Sequence, residues 1–174
     1  MRSSHSSGIL FSRTIGVLAA SVITASYIVA QDVQIEFDRS VDFSKLTTFS
    51  IGESQLDSKN PSLNNEKTRT RLNLRIQKCL EEKGLTFAQD GPSSLKVIYM
   101  LDSTRKVRME GTSGPKLNNQ VAKIYYIEGT LTLGLLTPQS LVWRSVARVE
   151  SDNIEGKLDD MVKKSIAKYP PKHK

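Results

Sequence analysis

Few side chains in this 174-residue sequence could carry reactive chemistry. Its two histidines, His5 and His173, lie close to opposite ends of the chain, and Cys79 is the only cysteine. A chain terminus holds a general base poorly, whereas nucleophilic catalysis needs the base within hydrogen-bond reach of its nucleophile. Cys79 falls on the apolar face of a predicted helix, where a small buried hydrophobic residue is the simpler interpretation. The sequence thus argues against serine or cysteine hydrolysis and against a zinc site, and we expect neither a metal nor a cofactor.

Two glutamates leave one other chemistry open. Glu128 and Glu150 lie on successive predicted strands, and the hairpin that joins these strands would place both on its solvent-facing side. Paired carboxylates can hydrolyse glycosidic bonds. The same face is expected to carry Arg144 and Arg148, which would neutralise the two carboxylates. We therefore keep a carboxylate-dependent glycan hydrolase as the weakest hypothesis and expect the protein not to be an enzyme.

Positive charge is the other feature with a functional interpretation. The chain has 25 Lys and Arg against 18 Asp and Glu, which gives a net charge of +7. Residues 102–120 include Arg105, Lys106 and Arg108 together with two glycines and a proline, and this predicts a strand end followed by a mobile basic loop. The three basic side chains are candidate contacts for a small or polymeric anionic ligand. A further group of basic residues near the C-terminus could attract an anionic partner, but it is equally consistent with a solvated helix end and tail.

The first 30 residues have the layout of a secretory signal. A basic, serine-rich lead precedes an uncharged apolar run over 14–30, and polar residues follow. We place cleavage between Ala30 and Gln31, which leaves a single domain over 31–174 with a net charge near +5 and a basic tail. The alternative is an uncleaved anchor, although the run is slightly shorter than the roughly 20 residues that span a bilayer. Since no cysteine lies near the cut, we do not expect a lipid anchor.

Regular elements must position these residues, and hydrophobic periodicity and turn residues indicate where the elements lie. The predicted strands cover 33–37, 46–51, 85–88, 95–101, 121–136 and 141–149, and the predicted helices cover 60–83 and 152–169. Residues 95–101 are almost continuously apolar and are expected to be buried on both faces of the sheet. The order β-β-α-β-β-β-β-α predicts an α+β fold, in which an antiparallel sheet of five to six strands carries both helices on one face.

The clearest hairpin signal is YIEGTLTLGLLTPQSLVWRSVA, over 126–147. Strand alternation assigns its odd-numbered leucines to the core and its threonines to the solvent. A short loop at 138–140 would set Leu135 opposite Trp143, and a slip of one residue would bury Arg144, so the register is well specified. Trp143 is therefore interpreted as a core residue rather than as a platform for a ligand.

Four stretches of the sequence resemble the bacterial family known as domain of unknown function 4136. They are VDFSKLTTFSIG (41–52), LRIQKCLEEKGLTF (74–87), SSLKVIYML (93–101) and EGTLTLGLLTPQSLVWR (128–144), and the YPP at 169–171 also fits. The resemblance implies an exported α/β domain of the Gram-negative cell envelope, often lipid-anchored, with no established reaction. This sequence lacks the lipid-attachment cysteine that is common among relatives, and its TPQS turn is shorter than their usual glycine-containing turn.

The favoured hypothesis is an exported protein of the periplasm or envelope that acts as a non-catalytic interaction or structural module. The alternative is a binder of an anionic envelope ligand that uses the basic loop 102–120. The expected partner is thus an envelope protein or an anionic envelope component. Nucleic acid is not expected, because export removes the usual targets and aromatic residues do not alternate with basic ones. Contact with a membrane is expected only through an uncleaved N-terminal segment.

Overall fold

The computed structural model describes residues 32–56, 59–111 and 121–171. Within these ranges the strands are β1 (Asp32–Phe37), β2 (Thr48–Ile51), β3 (Thr86–Phe87), β4 (Leu95–Gly111), β5 (Val121–Leu136) and β6 (Leu141–Glu150), and the helices are α1 (Glu66–Glu81) and α2 (Leu158–Ala167). The predicted fold class and the predicted element order are confirmed. The signal segment, with its cut between Ala30 and Gln31, and His173 lie outside the described residues.

The strands form one sheet in the order β1-β6-β5-β4-β2-β3. The pairs β1–β6, β6–β5 and β5–β4 are antiparallel, whereas β2 runs parallel to both β3 and β4. The sheet is therefore mixed, and the expectation of a purely antiparallel sheet is wrong at this edge. The cause is α1, which connects β2 to β3 and returns the chain to the end of the sheet from which β2 started.

Helix α1 begins later than its sequence predicts. Its N-cap is Asn65, whose side chain accepts a hydrogen bond from the amide of Thr68. Asn60, where the predicted helix begins, instead closes the preceding turn by accepting a hydrogen bond from the amide of Ser62. The buried stripe of α1 includes Leu72, Ile76, Cys79 and Leu80, so Cys79 lies on the apolar face as predicted. Gly84 follows the helix with a φ of 88°, a conformation that favours glycine.

Both helices pack on one face of the sheet, as the sequence predicts. Tyr99 of β4 donates a hydrogen bond of 2.8 Å to Asn73 of α1. Trp143 of β6 lies edge-on to Tyr169, which follows α2, with the ring centroids 5.9 Å apart. These contacts place the core between the helices and the odd-numbered residues of the central strands.

The hairpin of β5 and β6 has the predicted register as far as Leu135, beyond which a shift pairs Leu136 with Leu141, so the turn is not the predicted loop at 138–140. Leu135 lies opposite Trp143, and Leu131 lies opposite Ala147. The side chains of Leu131, Leu133, Leu135 and Trp143 are at most 1% exposed. Trp143 is therefore a core residue, packed under the helices with the leucines of β5.

Strand β4 differs most from its prediction. Its odd-numbered residues from Leu95 to Leu101 are buried, but Ile98 and Met100 are 36% and 47% exposed. The expectation that 95–101 is buried on both faces is wrong, because the helices cover only one face. Residues 102–111 continue this strand, so the predicted strand end is longer than expected, and the rest of the predicted basic loop, 112–120, lies outside the described residues.

Candidate functional site

The two candidate catalytic carboxylates face each other across the hairpin. Glu128 of β5 is paired in register with Glu150 of β6, as the sequence predicts. Lys106 Nζ lies 2.7 Å from a Glu128 carboxylate oxygen, and the Arg108 guanidinium contacts Glu150. Hydrogen bonds to these carboxylates raise the pKa of both Lys106 and Arg108. Each glutamate is thus one half of an ion pair on the sheet surface, an arrangement that favours a structural role over glycan hydrolysis.

The cations that neutralise these glutamates are not the predicted ones. Arg144 lies 3.4 Å from a carboxylate oxygen of Glu36, and Arg148 lies 3.9 Å from one of Asp32. Both contacts reach across to β1, because Arg144 and Arg148 are in register with Glu36 and Asp32 on that strand. The prediction missed this pairing because the sequence does not reveal which strand lies beside β6.

The structure does not bring together the three candidate ligand-binding cations. Arg105, Lys106 and Arg108 all lie on β4, where side chains alternate between the two faces. Arg105 therefore projects on the helix side, while Lys106 and Arg108 share the outer side. Arg108 also lies over the ring of Tyr126, with its guanidinium carbon 5.0 Å from the ring centroid. Two of these three cations are thus in ion pairs and the third is on the opposite face, so the three described side chains do not converge on one point.

Cys79, the cysteine within the described residues, is structural in character. Cys79 is buried, and desolvation raises the pKa of its thiol, which is the reverse of what activates a cysteine nucleophile. Over the described ranges, no group of three or more His, Cys, Asp or Glu side chains is arranged to hold a metal ion. No helix in the same part of the chain has the length and apolar character needed to cross a membrane.

The most site-like feature is a depression on the outer face of the sheet, opposite the helices, which we call the outer-face depression. It has a volume of about 330 Å³. Its apolar wall is formed by Ile98, Met100 and Leu141, and charged groups of opposite sign, Glu53 and Arg144, lie at its border. Ile98 and Met100 are the residues that the sequence placed in the core. Their exposure turns a predicted packing surface into an accessible one.

Gly134 lines this depression, and its lack of a side chain allows Leu141 and Ile98 to approach it closely. A Cβ atom at this position would lie 3.1 Å from Leu141 Cδ1 and 3.2 Å from Ile98 Cγ1. Any side chain there would fill the space between these two residues. A glycine inside a strand often marks a close approach of other groups, and this is the sequence signal that could have identified the site.

A second hollow, of about 630 Å³, lies on the outer surface of α1. It is open to solvent, and charged residues dominate its lining around the exposed Leu74. Arg71, one of these residues, is held by Asp159 of α2 through hydrogen bonds of 3.0 and 3.1 Å. The hollow is thus an open helix surface, and Arg71, one of the four cations that line it, is already engaged.

Comparison with solved structures supports the fold and leaves activity open. A PDZ domain protein from Parabacteroides distasonis matches with a TM-score of 0.58 and 15% identity, over 83% of this chain and 37% of that protein. The PelC dodecamer from Paraburkholderia phytofirmans matches with a TM-score of 0.50 and 6% identity, over 79% of this chain and 96% of that one. At these identities the likeness shows the fold alone, and this chain spans little more than a third of the first protein.

Comparison by sequence identifies the family. A search of curated proteins gave no match. The family profile described as "Domain of unknown function (DUF4136)" matches residues 33–171, which takes in every strand and helix except the first residue of β1. This is the family that the sequence motifs resemble. The chain belongs to the domain of unknown function 4136 family.

Proposed function

We propose that the protein is an exported, non-catalytic interaction module of the bacterial cell envelope, and that it binds another envelope protein through the outer-face depression. The observation that carries this proposal is the uncovered apolar wall of the depression. Ile98, Met100 and Leu141 are 36%, 47% and 48% exposed, and they are contiguous. Contiguous exposed apolar residues with a polar rim are typical of protein interaction sites.

The charges at the border decide which partner fits. Glu53 and Arg144 have opposite signs, so the rim does not favour a polyanion or an anionic headgroup. A partner that inserts an apolar side chain and surrounds it with polar peptide groups matches both the wall and the rim. The ion pairs of Lys106 and Arg108 likewise disfavour an anionic ligand on the neighbouring part of the same face.

Site-specific photocrosslinking in living cells tests this proposal. A photoreactive phenylalanine analogue at position 100, replacing Met100, should yield a discrete adduct with one envelope protein. The matched control is position 74, because Leu74 is also a large exposed apolar residue but lies on α1 at 62% exposure. Absence of an adduct at position 100, or the same adducts at both positions, would contradict the proposal.

Export is a separate part of the proposal and has its own measurement. If the N-terminal segment is a cleaved signal, intact mass spectrometry of the protein from the envelope fraction should show Gln31 as the first residue and no lipid adduct. A mass that retains residues 1–30 would support an uncleaved anchor instead. A protein recovered only from the cytoplasm would overturn the envelope assignment.

A further inference from the structure

Strands β4 and β5 extend beyond the rest of the sheet as a two-stranded ribbon. Strand β6 ends at Glu150, opposite Glu128, whereas β4 and β5 stay paired as far as Gly111 and Val121. Beyond this point the described residues place no strand against the outer side of either ribbon strand. Within the described part of the chain the ribbon therefore has two open edges, one formed by β4 and the other by β5.

The backbone groups that point outward from these edges can be assigned. On β4, the amide of Leu101 donates to Gln55 on the side away from β5, so the odd-numbered residues direct their backbone groups to that side. On β5, the carbonyl of Ile127 accepts from Ser151, so its odd-numbered residues also face away from β4. Val107 of β4 and Tyr125 of β5 lie directly opposite each other, and the register between the two strands is unbroken. The backbone amide and carbonyl of Val107 therefore point outward from the β4 edge, and those of Tyr125 point outward from the β5 edge.

The two edges differ in the protection that their side chains provide. Natural proteins guard open edges with charged residues, above all lysine, because an apolar edge pairs with other chains. The β4 edge carries Arg105, Lys106 and Arg108 and is guarded in this way. The β5 edge over 123–127 reads KIYYI, with a single charge, and its Ile124 and Tyr125 are 41% and 66% exposed. Its residues have high β-propensity and no proline, which is typical of a segment that accepts another strand.

We propose that the β5 edge pairs antiparallel with the β5 edge of a second copy, which makes the sheet continuous across a two-fold axis. A second copy fits because the segment is complementary to itself. In the register centred on Ile124, that residue lies opposite its own counterpart, and Lys123 lies opposite Tyr125 of the second copy. No like charges then face each other, and each lysine gains an aromatic neighbour. The outward amides and carbonyls of Lys123 and Tyr125 bond to each other.

Proline substitution at the two opposite positions tests which edge is used. Tyr125→Pro removes an outward amide from the β5 edge, and Val107→Pro removes the equivalent amide from the β4 edge, while neither removes a bond between the two strands. Analytical ultracentrifugation of the purified protein should show a dimer for the wild type and for Val107→Pro. The Tyr125→Pro variant should raise the dimer Kd at least about tenfold, since a symmetric interface loses two hydrogen bonds.

A crosslinking variant keeps the test decisive if the proline variants fold poorly. Ile124→Cys should give a covalent dimer on mild oxidation, because residues at the two-fold axis lie opposite each other within disulfide reach. Val107→Cys is the control, and the buried Cys79 is present in both. A monomeric wild type, equal loss of the dimer in both proline variants, or equal crosslinking of both cysteine variants would overturn the proposal. These readouts do not involve the outer-face depression, so they are independent of the proposed function.

Discussion

Replacing Leu133 by alanine tests the orientation of the sheet. Leu133 lies in the middle of β5, opposite Tyr99 of β4 and Ser145 of β6, and its side chain is 1% exposed. Full burial of a leucine contributes about 1.5–3 kcal/mol by transfer from water. Its truncation to alanine costs about 2–5 kcal/mol once the cavity is included. Because strands on both sides hold the neighbouring residues, little collapse is expected, and we place the cost at about 3–5 kcal/mol.

Urea unfolding measures this cost, with the fluorescence of Trp143, the only tryptophan, as the probe. With a slope of roughly 2 kcal/mol per molar urea, the midpoint should fall by roughly 1.5–2.5 M. The matched control is Thr132→Ala, one position earlier on β5, where the side chain is partly exposed on the outer face. That substitution should cost less than about 1 kcal/mol, the span of strand propensities.

Two results would refute this reasoning. The first is a Thr132→Ala variant that is less stable than Leu133→Ala, since the outer face would then be the buried one. The second is native emission from Trp143 at the wavelength of a solvent-exposed indole, since this side chain is 1% exposed beneath Tyr169. Either result would make Trp143 part of an accessible surface and would remove the basis for the outer-face depression.

Three further predictions concern other contacts in the fold. Burial raises the pKa of Tyr169 to about 12. As the pH rises, the unfolded chain releases the Tyr169 proton near pH 10, whereas the folded protein keeps it until about pH 12. The free energy of unfolding should therefore fall between about pH 10 and 12. Urea midpoints compared across this pH range should fall less steeply for Tyr169→Phe than for the wild type. Asp159→Asn weakens the pairing with Arg71 and should lower the free energy of unfolding in urea by about 0.5–1 kcal/mol, because both side chains are partly exposed. If the free energy of unfolding fell by the same amount in high salt, the effect would not be ionic. In Gly129→Ala the new Cβ would lie 2.8 Å from Ile154 Cγ2, so about 1–3 kcal/mol should be lost, and Ile154→Ala in the same chain should make the combined loss less than additive.

The parts of the fold that the sequence predicts are those fixed by local pattern. The register of β5 and β6 follows from alternation and a short loop, because a shift of one residue would bury Arg144 and expose Trp143. The buried stripe of α1 follows from helical spacing. The first residue of the helix does not, because Asn60 and Asn65 could both cap it and only the turn at Asn60 decides between them. Local rules specify what an element is more firmly than where it begins.

The candidate site depends on information that local pattern does not contain. The run LKVIYML has the composition of a strand buried on both faces, yet Ile98 and Met100 are exposed because neither described helix covers the outer face. Likewise, the cations beside Glu128 and Glu150 come from β4 rather than from the hairpin itself. Both predictions were wrong because a local sequence pattern does not specify which layer or which strand lies next to a residue. The topology of the fold decides that.

The ribbon shows most clearly how topology determines the function of a sequence pattern. The same odd-numbered alternation runs through all of β5, so Leu131 and Tyr125 occupy equivalent positions in the pattern. Leu131 is fully buried because β6 and the helices extend over it, while Tyr125 is 66% exposed because β6 has already ended at Glu150. An apolar residue in a buried stretch stabilises the fold, whereas the same type of residue past the last neighbouring strand leaves a surface that no described part of the chain covers and that another chain could cover. The length of β5 relative to β6 is thus what makes its end a candidate interface, and comparison of Tyr125→Pro with Val107→Pro tests that difference directly.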